Sequence, residues 1–139
     1  MRKILIAIIL LTVFKTEAQP SVLYVADSLY AYGNYTKAIQ IYKTHNNPSE
    51  VYDKIAKAYL AIGNDGEALV NYDLSLKANP DNALIKYDYA KLLSRHQKLE
   101  EASVLLKELL NIDTKNPNYH YELGLVLELQ SDTLAIHSF

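Results

Sequence analysis

The sequence of 139 residues contains no cysteine and no tryptophan, and only four glycines and four prolines. Without cysteine the chain can form neither a disulfide framework nor a thiolate metal site, and it has no cysteine nucleophile. The glycines are scattered at positions 33, 63, 66 and 124, so there is no glycine-rich phosphate loop. The four histidines form neither an HExxH motif nor a serine–histidine–aspartate arrangement. The sequence therefore predicts no enzyme, no cofactor and no metal site.

Composition and charge further narrow the classes of protein to which the chain could belong. The chain is short enough for at most one ordinary domain, and 50% of its residues are hydrophobic, with twelve tyrosines among its aromatic residues. Such a composition is not that of a disordered chain. The formal net charge is −2, and after removal of the first 18 residues it becomes −4, with 11 basic and 15 acidic residues. A mildly acidic protein is a poor partner for nucleic acid.

Residues 1–18 have the pattern of a secretory signal peptide. A basic end at positions 2 and 3 precedes a run of eleven residues, Ile4 to Phe14, that is apolar except for Thr12. The run is too short to cross a bilayer comfortably, and Thr16 and Ala18 place small residues at the two positions that a signal peptidase reads. We therefore expect export to the periplasm or cell envelope of a bacterium, with cleavage after Ala18. The alternative is an uncleaved segment that anchors the protein to the membrane.

The stretch from Ser49 to Asn82 shows how the rest of the chain is organised. Its first half places residues three and four apart on one helical face: Tyr52, Ile55, Ala56 and Tyr59. Gly63 interrupts this pattern, and a second helix follows with Ala68 on its inner face. Pro80 then ends the unit, because proline cannot continue a helix that precedes it. The stretch is thus predicted to form a helix–turn–helix unit.

This unit recurs along the chain. Its inner alanine, Ala68, has counterparts at intervals of 30, 34 and 33 residues, which are Ala38, Ala102 and Ala135. A period near 34 residues, with an aromatic residue, an apolar–small pair, glycine, alanine, an aromatic residue and proline in this order, resembles the tetratricopeptide repeat. The resemblance covers roughly residues 20–139. It implies an all-α fold, a right-handed α-solenoid of antiparallel helix pairs with about three and a half repeats.

The predicted units follow the signal peptide, residues 1–18, in unbroken succession. Their boundaries are 19–48, 49–82, 83–116 and, for a partial fourth unit, 117–139. The first interval is four residues shorter than the next, about one helical turn, so the second helix of the first unit should be short. In the third unit Gln97 replaces the turn glycine, at a cost of about 1 kcal/mol that packing can offset.

Asparagine caps predict where individual helices begin. Asn47, Pro48 and Glu50 supply a cap, a proline at the first helical position and a reciprocal glutamate, so a helix should begin immediately after Asn47. Asn64 and Glu67 have the spacing of a second capping box. These helix starts are therefore encoded locally.

The fourth unit is predicted to contain a turn before Ala135, followed by a second helix of only about seven residues. Such a helix is too short to be stable alone, and it would present Ile136 and Phe139 at an open end. Because a solenoid unit buries its apolar face against the next unit, we interpret the chain as the N-terminal part of a longer array. The alternative is a short complete protein whose end is frayed.

The resemblance also implies a binding role. Tetratricopeptide proteins usually bind extended peptides or partner helices on the concave wall that their first helices form. Carried onto this sequence, that wall consists of Leu23, Asp27, Tyr30, Asp53, Lys57, Leu60, Tyr87, Lys91, Ser94, Arg95, Tyr121, Leu125 and Glu128. Three of these recur at intervals of four on one helical face and should be exposed together, namely Tyr87, Lys91 and Arg95. A ring beside two cations suits a peptide in which an acidic residue adjoins an apolar one.

One specialised role of the family is excluded. The carboxylate clamp that holds chaperone C-termini requires a lysine and an asparagine four residues apart on the first helix. This sequence has Leu23 and Asp27 at those positions.

The sequence predicts an exported protein–protein interaction scaffold that binds a peptide or partner protein, with no nucleic acid and no metal, and contacts a membrane only through an uncleaved N-terminal segment. Two alternatives are the extracytoplasmic sensor segment of a membrane signalling protein and the docking module of an envelope enzyme. The reading frame beyond Phe139 would separate the three hypotheses. Further repeats would favour the scaffold. An apolar run of about 20 residues would favour the sensor segment, and a new α/β pattern would favour the enzyme.

Overall fold

The computed structural model describes residues 21–137, with side chains through residue 133, and this part of the chain is entirely helical. The seven α-helices are α1 (Val22–Ala31), α2 (Tyr35–Tyr42), α3 (Tyr52–Ala61), α4 (Asp65–Ala78), α5 (Ala83–Arg95), α6 (Leu99–Ile112) and α7 (Pro117–His137). Within residues 21–137, none of the helices combines the length and the hydropathy that crossing a bilayer requires. The predicted signal peptide, residues 1–18, and Phe139 lie outside the described residues.

The helices pack in the order in which they occur along the chain. Three antiparallel pairs form, α1 with α2, α3 with α4 and α5 with α6, and α7 packs against α6. Consecutive pairs contact each other through α2 and α3 and through α4 and α5. The result is the predicted all-α solenoid, with three helix pairs and a seventh helix.

The three turns within the pairs share one backbone geometry. Gly33, Gly63 and Gln97 have φ angles of +79°, +75° and +60°. The amide of the following residue donates to a carbonyl five residues back, as from Asn64 to Tyr59 at 2.9 Å and from Lys98 to Leu93 at 3.0 Å. This is the Schellman arrangement, which ends a helix with one left-handed residue. Gln97 therefore adopts the conformation for which glycine is favoured.

Alanines allow the two helices of each pair to approach closely. All six are completely buried, and they share a hydrophobic core cluster pairwise: Ala26 with Ala38, Ala56 with Ala68, and Ala90 with Ala102. Four residues beyond the second alanine of each pair, a large side chain fills the adjoining space, namely Tyr42, Tyr72 or Leu106. The repeating alanines that define the sequence period are thus the residues on which the interior is built.

The junction between the first two pairs departs from the expected helix cap. α2 has only eight residues, whereas α4 and α6 have fourteen each. A helical turn begins immediately after Asn47, as predicted, but it is a single 3₁₀ turn, Pro48–Glu50, and α3 begins at Tyr52. The Asn47 side chain caps no backbone amide, because its Oδ1 accepts instead from the Ser49 hydroxyl at 2.7 Å, while its Nδ2 donates to Glu50 Oε1 at 2.8 Å. The predicted capping box at this position is therefore wrong.

The predicted turn in the fourth unit is also absent, because α7 continues without a break from Pro117 to His137, through the position of Ala135. Ser131 and Thr133 donate their hydroxyl groups to the Glu128 and Leu129 carbonyls at 2.7 and 2.8 Å, so the helix also accommodates its polar side chains. A turn here would put another residue other than glycine at positive φ. The unbroken helix avoids that strain.

Candidate functional site

A concavity of the described chain lies between α3, α5 and α7. We call it the larger groove, and its volume is about 740 Å³. Its lining residues are Leu60, Tyr72, Asp88, Lys91, Leu92, Ser94, Arg95, Gln97, Glu122, Leu125, Glu128, Leu129 and Asp132. Apart from Tyr72, which belongs to α4, and Gln97 in a turn, these residues come from first helices of the units. This agrees with a concave wall built from first helices.

Apolar side chains form the floor of the larger groove. Tyr72 and Leu92 are almost fully buried, whereas Leu125 and Leu129 are more than one third exposed. The Tyr72 ring stacks against that of Tyr89 with the centroids 6.2 Å apart, which fixes its position. Burial raises the pKa of Tyr72 well above its ordinary value, and nearby carboxylates raise it further. The floor therefore stays uncharged at physiological pH.

The cations of the larger groove lie on α5. Lys91 Nζ is 5.2 Å from the centroid of the Tyr87 ring, and Arg95 Nη2 lies 3.6 Å from Asp65 Oδ2. Asp65 also pairs with His96 Nε2 at 2.8 Å. Arg95 is thus partly neutralised by a carboxylate outside the groove.

Tyr87 does not face the larger groove, contrary to the expectation that it would be exposed together with Lys91 and Arg95. It is half-buried, and its ring packs against the Tyr119 ring of α7 with the centroids 5.2 Å apart. Burial, together with the neighbouring Glu122 carboxylate, raises the pKa of Tyr87. Its first role is therefore to join α5 to α7.

Carboxylates dominate the α7 side of the larger groove. Glu122, Glu128 and Asp132 come from α7, and Asp88 adds a fourth carboxylate from α5. Sequence reasoning found Glu128 but missed the other three. Asp132 lies one helical turn beyond Glu128, so the periodicity could have found it, but the turn predicted in this region hid that relationship.

A second concavity, the smaller groove, lies between α1, α2 and α3 and has a volume of about 300 Å³. Its lining residues are Asp27, Tyr30, Tyr42, Asp53, Lys54 and Lys57. Asp27 Oδ1 accepts hydrogen bonds from Lys54 Nζ at 2.7 Å and from the Tyr42 hydroxyl at 2.5 Å. Burial by itself would raise the pKa of Asp27, but these two hydrogen bonds hold it below its ordinary value. Burial and the same carboxylate raise the pKa of Tyr42.

One ion-pair network connects the two grooves. Lys57 Nζ lies 3.6 Å from Asp53 Oδ2 and 3.9 Å from Asp88 Oδ2. The charged groups of the smaller groove are therefore largely satisfied by one another. The larger groove is the better candidate for binding a partner.

The structure separates the thirteen predicted wall residues into three sets. Six line the larger groove, namely Leu60, Lys91, Ser94, Arg95, Leu125 and Glu128. Four line the smaller groove, namely Asp27, Tyr30, Asp53 and Lys57. The other three line neither groove: Leu23 packs against the core of the first pair, Tyr87 packs against Tyr119, and Tyr121 is 66% exposed.

The described side chains show no arrangement that would hold a metal ion. No group of three or more histidine, aspartate or glutamate residues has suitable geometry there. His45 and His96 pair locally with Glu50 and Asp65 at 3.0 and 2.8 Å. His120 Nε2 makes a 2.8 Å hydrogen bond with the Thr114 carbonyl. These histidines therefore have local structural partners.

Comparison with known proteins identifies the repeats. Residues 59–123 match the family model of the tetratricopeptide repeat. This segment belongs to the tetratricopeptide repeat family, and the helices of residues 21–137 form a tetratricopeptide solenoid. No curated protein sequence matches the chain.

Three solved structures illustrate the similarity of the fold. The first tetratricopeptide domain of Spaghetti (RPAP3), bound to the HSP90 peptide SRMEEVD, is 19% identical with a TM-score of 0.69, covering 79% of this chain and 90% of that one. A tetratricopeptide repeat protein from Parabacteroides merdae is 16% identical with a TM-score of 0.71, covering 80% of this chain and 45% of that one. The Yersinia enterocolitica type III secretion chaperone SycD, in complex with a peptide of the translocator YopD, is 16% identical with a TM-score of 0.66, covering 78% and 92%.

Proposed function

We propose that this protein is an exported scaffold that binds a peptide segment of a partner protein in the larger groove. The observation that carries this proposal is the groove itself, about 740 Å³ with an apolar floor and charged walls. Apolar floors supply desolvated contact area, and charges around them set orientation and association rate. Peptides bound to the RPAP3 domain and to SycD, which share this fold, support the same use of it.

The proposal assigns binding rather than catalysis to the larger groove. Its lining combines charged side chains with an apolar floor, which is the pattern of a ligand-binding site. The Tyr72 hydroxyl has a raised pKa, so a smaller fraction of it is ionised at neutral pH than of an ordinary tyrosine. The groove is thus suited to holding a ligand.

Export rests on the N-terminal sequence alone. The basic end, the largely apolar run of eleven residues and the small residues at positions 16 and 18 support cleavage after Ala18 and a location in the periplasm or cell envelope of a bacterium. N-terminal sequencing of the protein from an envelope fraction tests this. Recovery of a chain that begins at Met1 from the cytosol would contradict it.

Two leucines on α7 provide a matched test of the binding proposal. Leu125 lines the larger groove and is 37% exposed, whereas Leu127, which is 44% exposed, does not line it. The full-length protein would be used to capture its partner from native cells, and the captured protein would then be titrated with each variant. Leu125→Ala should weaken binding by about 1–2 kcal/mol, because it removes apolar contact at the floor.

Leu127→Ala is the control, because it makes the same change on another face of the same helix. It should leave the affinity nearly unchanged. Equal losses for the two variants, or a loss confined to Leu127→Ala, would show that the partner uses a different surface of α7.

A further inference from the structure

The charge of the larger groove indicates which class of segment it accepts. Two cations, Lys91 and Arg95, face four carboxylates, those of Asp88 and three α7 residues, so the lining has a formal charge of −2. An apolar floor with net negative walls is complementary to a segment that is apolar on one side and basic on the other. From the sequence, the two cations on α5 had predicted a partner with an acidic residue, because the carboxylates of α7 were not included.

Contacts within the protein strengthen the negative character of the groove, because they engage its two cations. Arg95 is 3.6 Å from Asp65, which lies outside the groove, and Lys91 is placed over the Tyr87 ring. Asp88 Oδ2 lies 3.9 Å from Lys57 Nζ, so this carboxylate is already partly paired. In the part of the chain that the structure describes, Glu122, Glu128 and Asp132 form no ion pair, so the uncompensated charge of the groove belongs to α7. A partner cation on that side would gain a carboxylate that is not already paired.

The acidic and apolar residues of α7 share one helical face. Glu122, Leu125, Leu129 and Asp132 follow one another at spacings of three, four and three residues, with Glu128 beside them. These spacings place side chains on the same side of a helix. The face extends over ten residues, which corresponds to about 15 Å along the axis. A helical segment of about ten to twelve residues could therefore contact the leucines and the carboxylates together.

We propose that the larger groove binds a basic amphipathic peptide segment, with its apolar side chains on the floor and its lysines or arginines against the carboxylates of α7. This inference rests on the proposed peptide-binding function and specifies the chemistry of the partner. It differs in charge from the RPAP3 complex, whose peptide SRMEEVD carries three acidic residues and one arginine.

Two synthetic probes test the proposal on the full-length protein. A fluorescent twelve-residue leucine/lysine peptide and its leucine/glutamate counterpart, with the same apolar pattern, would be titrated by fluorescence anisotropy. The leucine/lysine peptide should bind, and the leucine/glutamate peptide should bind at least about tenfold more weakly. Raising the salt concentration from about 50 to 200 mM should weaken the leucine/lysine complex, because partly exposed charges are screened.

Paired neutralisations distinguish the groove from the general acidity of the protein. Glu128→Gln/Asp132→Asn removes two carboxylates from the groove and should weaken binding of the leucine/lysine peptide by about tenfold. Glu67→Gln/Asp81→Asn removes the same two charges at exposed positions outside the groove and should have little effect.

Equal losses from the two double variants would overturn the proposal, because attraction to the whole protein would then explain binding. Failure of both peptides to bind would also overturn it. Tighter binding of the leucine/glutamate peptide would overturn the assigned polarity. The titration of Leu125→Ala and Leu127→Ala against the captured partner tests separately whether the groove is the binding site.

Discussion

Two glycines in the second unit should respond in opposite directions to the same substitution. Gly63 occupies the turn between α3 and α4 with a φ of +75°, whereas Gly66, three residues later, lies in the first turn of α4. We expect Gly63→Ala to lower the free energy of unfolding and Gly66→Ala to raise it. Each variant adds one methyl group and changes no charge.

The structure allows the magnitudes to be worked out. A Cβ at Gly63 would meet no atom within 4 Å, so the cost is confined to the backbone. A left-handed residue other than glycine costs about 1–2 kcal/mol, and the less flexible unfolded chain of the variant offsets about 0.4–1 kcal/mol of it. The net loss should be about 1 kcal/mol. At Gly66 the new Cβ would lie 3.9 Å from Asn64 Oδ1, an ordinary contact, and replacing a helical glycine should add about 0.5–1 kcal/mol.

Urea and thermal unfolding of the full chain, followed by far-UV circular dichroism, would measure both changes. For a protein of this size, 1 kcal/mol corresponds to about 4 °C in Tm. Shifts of the same sign for the two variants would show that Gly63 does not require its left-handed conformation. The explanation for the turn at Gln97 would then fail as well.

The interior and the smaller groove yield two further predictions. Ala68→Leu should overpack the crossing of α3 and α4 and lower the free energy of unfolding by about 1–3 kcal/mol. Lys77→Leu, on the exposed face of α4, should be nearly neutral. Equal shifts of the two variants in thermal unfolding would refute the repeat register. Tyr42→Phe removes one of the hydrogen bonds that lower the pKa of Asp27 and should cost about 0.5–1 kcal/mol at pH 7, since Asp27 is about half exposed. The lowered pKa stabilises the folded state only while Asp27 is ionised. The difference in unfolding free energy between Tyr42→Phe and wild type should therefore shrink as the pH falls below about 4. A constant difference in urea unfolding between pH 7 and pH 3 would contradict this cause.

Local signals in the sequence were sufficient for the helix pairs and for the turns between them. The alanine period predicted the crossings because only small side chains permit such close approach, and burial of Ala68 and its counterparts follows from that constraint. The turn at Gln97 was predicted from its alignment with Gly33 and Gly63, and the backbone there is left-handed, as in the two glycine turns. Each of these features depends mainly on a few neighbouring residues and on a period that repeats them.

The proposed binding surface depended on contacts that no local pattern contains. Whether α7 turns or continues depends on the strain of one more left-handed residue against the packing that a following helix supplies, and that balance is a property of the assembled fold. The uninterrupted helix extends the α7 face to Asp132 and brings its carboxylates opposite Lys91 and Arg95. The charge of a groove is summed over helices that lie far apart in sequence, so the residues on α5 could not show it. Tertiary packing decided it, and with it the class of partner that we propose for the groove.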